Sequence, residues 1–119
     1  MTPFGSKVRA LRGDRGITLK TMASDLEISE AYLSSLEHGH RGRPSEALVV
    51  QVCEYFNLIW DDYEEMHRLA ALSHPKITVD TSGLSETHTE LANTLAEKIR
   101  DLSDQDAAAI LARLRGDLY

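Results

Sequence analysis

Glu30, Ala31, Ser34 and Ser35 stand at helical spacing, so a helix through them would present all four on one side. Their chemistry is short-chained and polar. A carboxylate can accept a hydrogen bond from cytosine N4, an alanine methyl can touch a thymine methyl, and a serine hydroxyl is permissive. Glu30 also has a plainer reading as a first-turn acid favoured by the helix dipole. A basic loop follows directly, with His38, His40, Arg41 and Arg43, and its charge and forked guanidinium donors suit phosphate. The alternative for that loop is simple solvation. Thr18 and Ser29 each open a helix whose first N–H groups can bind phosphate, and Lys20 adds charge beside the former. Tyr32 either touches the sugar-phosphate or packs into the domain.

The elements that must hold these side chains are legible from spacing. Residues 4–15 read as a first helix, with Val8 and Leu11 inward, Lys7, Arg9, Arg12 and Arg15 outward, and Gly16 ending it. Thr18 caps a second helix over residues 18–26, whose apolar positions are Leu19, Met22, Ala23 and Leu26. Ser29 caps a third over 29–37, with Leu33 and Leu36 inward and Gly39 closing it. Ala23 lets two helices cross closely, and Ile28 fills their corner. Ser45 caps a fourth helix with Leu48, Val49, Val52 and Phe56 at helical spacing. Asp61 and Asp62 then begin a fifth, placing acids at the positive end of its dipole.

The blocks FGSKVRALRGDRGIT, TLKTMASDLEIS, AYLSSLEHG and RGRPSEALVVQVCEYFNL, in this order and spacing, resemble the helix-turn-helix domain of the phage Cro/repressor (lambda repressor-like) type, the XRE family. The resemblance covers residues of about 4–60. It implies a five-helix DNA-binding domain in which residues 29–37 are the recognition helix, and it gives Glu37 an internal ion pair. Two positions depart from the family pattern. Leu19 stands where a phosphate-contacting Gln is usual, and Glu27 stands at a turn where Gly is usual because the backbone there has positive φ.

Beyond the resemblance, Ser73-His74-Pro75 marks a boundary, because proline disfavours helix at the residue before it. We therefore divide the chain into a domain of residues 1–72 and a segment of 73–119. Lys76-Ile77-Thr78-Val79-Asp80 alternates and is β-branched, which reads as one short strand pairing with its copy in another subunit, or as an extended connector. Two amphipathic helices follow as a hairpin. Leu84, Leu91, Leu95, Ile99 and Leu102 form one apolar stripe, and Ala107, Ile110, Leu111 and Leu114 form another. They either fold back onto the first domain or build a homodimer interface that includes Ile77 and Val79, and symmetry favours the dimer. One short recognition helix reads few base pairs, and a pair about 34 Å apart reads a palindrome.

The net charge of −6 is unevenly distributed. Residues 1–44 hold seven Lys/Arg against five acids, while residues 45–119 hold six against fourteen. Such asymmetry orients a protein on a polyanion even when its total charge is negative. The lone Cys53 excludes an internal disulfide and fits a reducing cytoplasm, with the thiol a small buried hydrophobe. No apolar run approaches a membrane span, and the N-terminus lacks a signal-peptide pattern. The five histidines are scattered, without carboxylates or Cys at ligand spacing, so neither metal nor cofactor is expected. Nothing resembles a phosphate loop, nucleophile elbow or triad, so catalysis is not expected either. The sequence thus implies a mainly α protein whose partners are double-stranded DNA and a second copy of itself, a transcriptional repressor in function. The alternative is an antitoxin-like or adaptor protein that holds a protein partner through residues 76–119.

Overall fold

Hydroxyl caps set the frame of this chain. In the computed structural model, which describes residues 1–116, α1 spans Pro3–Arg15, α2 Leu19–Asp25, α3 Glu30–His38, α4 Glu46–Tyr55, α5 Trp60–Ala71, α6 Glu86–Lys98 and α7 Asp104–Arg115, with a 3-10 turn at Ile99–Asp101. Thr2, Thr18, Ser29, Ser45, Ser85 and Ser103 each accept a backbone N–H three residues on, at the start of α1, α2, α3, α4, α6 and α7. Each such bond satisfies an N–H that the helix itself leaves free, a contribution of about 1 kcal/mol. Helix α5 differs, for it opens after Ile59 with no side-chain cap bond.

Two compact units result, Met1–Ile77 and Thr78–Tyr119. The first contains the hydrophobic core. Phe4, Val8 and Leu11 of α1 meet Met22 and Ala23 of α2, Leu33 and Leu36 of α3, Leu48, Val49, Val52 and Cys53 of α4 with the adjoining Phe56, and Met66 and Ala70 of α5. Burial pushes the Cys53 thiol above its ordinary pKa, which leaves it neutral and unreactive. Ser73 is buried too: its hydroxyl accepts the Phe4 N–H at 2.9 Å and donates to the Leu69 carbonyl at 2.6 Å.

Among the described residues, three other than glycine have positive φ: Glu27 (58°), Asn57 (57°) and Trp60 (54°). Glu27 is the turn between α2 and α3, so the left-handed conformation usual for glycine there is retained at a cost of about 1–2 kcal/mol. Asn tolerates this region. A bulky aromatic at Trp60 does not.

Two expectations are corrected here. Residues 76–80 form no strand, and none exists among the described residues. The stretch is an extended connector, because a single segment has no neighbouring ladder to complete its hydrogen bonds. The Ser82 hydroxyl first, and then its N–H at 2.9 Å, hold the Asp80 carboxyl below the usual range. Arg12 is buried rather than outward, drawn in by a carboxylate described below. In the second unit neither α6 nor α7 contains a buried residue. The end of the expected C-terminal segment, residues 117–119, lies outside the described residues.

Candidate nucleic-acid interface

The position of α3 is set at its C-terminal end. Arg12 Nη2 donates to both Glu37 carboxylate oxygens, at 3.0 and 3.1 Å, and both side chains are almost fully buried. The Glu37 carbonyl accepts the Thr2 N–H at 3.0 Å and the Thr2 hydroxyl at 3.2 Å. Gly5 completes the joint, since a Cβ on it would lie 2.0 Å from the Glu37 carbonyl oxygen. Only glycine allows the α1 backbone to approach α3 this closely. A buried ion pair made through a single guanidinium nitrogen, two hydrogen bonds and a backbone contact therefore fix one end of α3 against α1.

The outward face of α3, opposite Leu33 and Leu36, is free to meet a ligand. Glu30 and Ala31 are exposed and Ser34 and Ser35 partly so, forming the short polar face that their spacing implied. Ser29 is exposed, with its hydroxyl accepting the Tyr32 N–H at 3.0 Å. Tyr32 takes the packed alternative, half-buried against the core. Its ring faces the Arg41 guanidinium 5.6 Å away, a cation–π contact that restrains Arg41 near α3.

His38 and His40 lie with ring centroids 6.1 Å apart, and His38 Nδ1 is 2.8 Å from the Ser34 carbonyl. A carbonyl only accepts, so Nδ1 carries the proton and Nε2 is left for another partner. His38 and His40 thus pair at the C-terminal end of α3, while Arg41 lies over Tyr32 of its first turn. Arg43 sits elsewhere, lining a cavity of about 150 Å³ with Glu46, Val49 and His67. The Thr18 hydroxyl accepts the Thr21 N–H at 3.0 Å and donates to the Thr21 hydroxyl at 2.9 Å, and Thr18 itself is exposed at the start of α2. Lys20 is exposed. Leu19, at the family's phosphate-contacting position, is half-buried against the core, so that residue serves packing in this chain.

Sequence reasoning missed Thr2, Gly5 and Ser73 as parts of the frame. A Thr-Pro pair opening the chain is a cap signal that marks Thr2. Nothing local marks Gly5 or Ser73, whose roles rest on contacts 32 and 69 residues away.

The helix-turn-helix domain family matches residues 3–69. The chain is 31% identical over 78 residues to the HTH-type transcriptional repressor RghR of Bacillus subtilis, covering 60% of this chain and 58% of that protein. It is 34% identical over 74 residues to the HTH-type transcriptional regulator RghRB of the same organism, covering 62% and 50%. It is 39% identical over 57 residues to the HTH-type transcriptional regulator RamB of Mycobacterium tuberculosis, covering 48% and 12%. The chain therefore spans little more than half the length of the first two relatives. No solved structure matches it. No helix among the described residues is long and apolar enough to cross a membrane.

Proposed function

This chain belongs to the helix-turn-helix domain family, and on that premise we propose that it is a sequence-specific DNA-binding transcriptional regulator, a repressor that acts as a homodimer on a palindromic operator. The observation that carries this reading is α3. Its far end is fixed by Arg12, Thr2 and Gly5, while its short polar face stays accessible. A helix held this way can enter the major groove and lay Glu30, Ala31, Ser34 and Ser35 against base edges. Lys20, Ser29, His38, His40 and Arg41 position it on the phosphates without reading sequence. The acidic excess of residues 45–119 keeps the other faces away from the polyanion. Repression follows from occluding promoter DNA, in keeping with the similarity to the transcriptional repressor RghR.

Dimerisation falls to the second unit. Leu91, Ile99, Ile110, Leu111 and Leu114 are all exposed, and Leu95 and Leu102 are only half-buried. Exposed apolar side chains at helical spacing on two helices call for a partner. A second copy supplies it and sets two α3 helices one helical turn of DNA apart, about 34 Å. The same stripe also fits a different protein, as in the adaptor reading. Light scattering on the free chain separates the two, because only the first makes it a dimer by itself.

The test of the DNA reading is a pair of substitutions measured by fluorescence anisotropy over a salt series. Arg41→Ala is expected to weaken every duplex alike and to reduce the salt slope by about 1. Ser35→Ala is expected to change base preference and leave the slope intact. Equal, sequence-independent losses from both contradict the division into reading and positioning residues.

A further inference from the structure

The corner between α4 and α5 combines three features that do not serve the fold. Its helix lacks the hydroxyl cap found at the other α-helices of the described residues. Trp60 has a left-handed φ of 54°, a conformation that disfavours a large side chain. And Trp60 and Ile59 are 80% and 65% exposed, so neither side chain contributes to the core. An open groove of about 490 Å³ is lined by Val50, Cys53, Leu58, Ile59 and Tyr63, and Trp60 follows Ile59 in the chain without lining it.

Charge selects the occupant. Residues 45–67 contain six acids, Glu46, Glu54, Asp61, Asp62, Glu64 and Glu65, and no Lys or Arg; Arg68 pairs with Glu65 and Arg15 reaches Phe56 from α1, which leaves Glu54, Asp61 and Asp62 as the acids at the corner. Glu54 lines the groove itself, and Asp61 and Asp62 directly follow Trp60. DNA is repelled from such a face. A second copy is disfavoured as well, because a two-fold contact would set these carboxylates against themselves. What complements an apolar groove with an acidic rim is an apolar stripe flanked by cations.

We propose that the α4–α5 corner, anchored by Trp60, docks a helical segment of a partner protein that presents an apolar stripe bordered by lysines and arginines. An exposed Trp next to a groove is the kind of residue that carries binding energy once desolvated, with the charged rim setting orientation and partner choice. Asp61 and Asp62 steer the basic segment, the groove takes its apolar side chains, and Trp60 closes over them.

Trp60 is the only tryptophan of the chain, so its emission reports this corner alone. The full chain is titrated with a synthetic amphipathic helical peptide of leucine and lysine, and separately with its leucine–glutamate twin. The expected result is a saturable blue shift at one lysine peptide per chain, and none with the acidic twin. Followed by anisotropy of the labelled peptide, Trp60→Ala weakens docking about tenfold or more, and Asp61→Asn with Asp62→Asn about twofold to fivefold. Trp60→Gly, which relieves the positive φ, melts no lower than the parent chain while losing the peptide. A lower melting temperature would assign Trp60 to the fold and overturn the proposal, as would a missing blue shift or an equal response to both peptides. Emission that is blue before any peptide is added also overturns it. A shift that grows with protein concentration assigns the groove to a second copy, and one that does not assigns it to the chain's own residues.

Discussion

Residues 1–77 and residues 78–116 carry apolar side chains at the same helical spacings, yet the structure disposes of them in opposite ways. In the first unit every stripe finds a partner in the same chain: Val8, Met22, Val52 and Met66 are all completely buried. In the second, Leu91 remains 59% exposed and Leu114 68%, although their helices are capped as well as any in the first. Good local signals make a helix, whereas burial requires surfaces that converge, and five helices joined by short turns converge where two do not. The first unit thus buries a core of its own around α3, whereas the apolar side chains of α6 and α7 stay largely exposed in the single chain.

Breaking the first unit should be easy, and the largest effect is expected at Glu37. Glu37→Ala leaves the Arg12 guanidinium buried without its carboxylate and should cost about 3–5 kcal/mol by urea denaturation. A loss below 1 kcal/mol would mean that the pair does not hold α3. Gly5→Ala should cost about 1–3 kcal/mol, because the new methyl meets the Glu37 carbonyl. Alanine in a helix interior is ordinarily stabilising relative to glycine, so a gain in melting temperature would refute the close approach.

Smaller again is Tyr55, whose hydroxyl donates to Asp25 at 2.6 Å and ties α4 to α2. Burial, and then the bond to Asp25 and its charge, push the phenol from 10.0 up to about 12. A pKa raised by folding means that this contribution is complete below pH 10 and is lost as pH rises to about 12. Tyr55→Phe should therefore lose about 1 kcal/mol at neutral pH, and its stability should decline less steeply between pH 10 and 12 than the parent's. Identical pH profiles would contradict the link.

The smallest effect on fold stability is expected in the second unit. Leu91→Ser with Ile110→Ser changes exposed positions and should shift the stability of a single chain by only about 0.5 kcal/mol. The same pair should convert the dimer to monomers by light scattering and weaken binding to a palindromic site. A variant that stays dimeric would remove the second unit from the interface and leave its exposed stripe to another protein.

Much of this was readable from residues alone. Hydroxyls before apolar runs marked the helix starts, and the spacing of Leu33 and Leu36 put Glu30, Ala31, Ser34 and Ser35 on the opposite side of α3. What was hidden depended on distance along the chain. Arg12 read as an outward cation, because nothing within α1 shows that Glu37 lies buried beside it. The side-chain bond between Thr18 and Thr21 and the place of Arg43 beside α4 and α5 depend on folded neighbours that the spacing alone does not show. Residues 76–80 had a strand's alternation without a strand's neighbour, and pairing is a property of two segments.

The most direct measurement is selection of bound sites from a pool of random duplexes, followed by anisotropy on the enriched sequence at low and physiological salt. The account predicts a palindrome with half-sites about 10 base pairs apart centre to centre, bound by two chains and lost when Ser34 and Ser35 are replaced. Enrichment of no sequence, with only weak salt-sensitive binding, would contradict it.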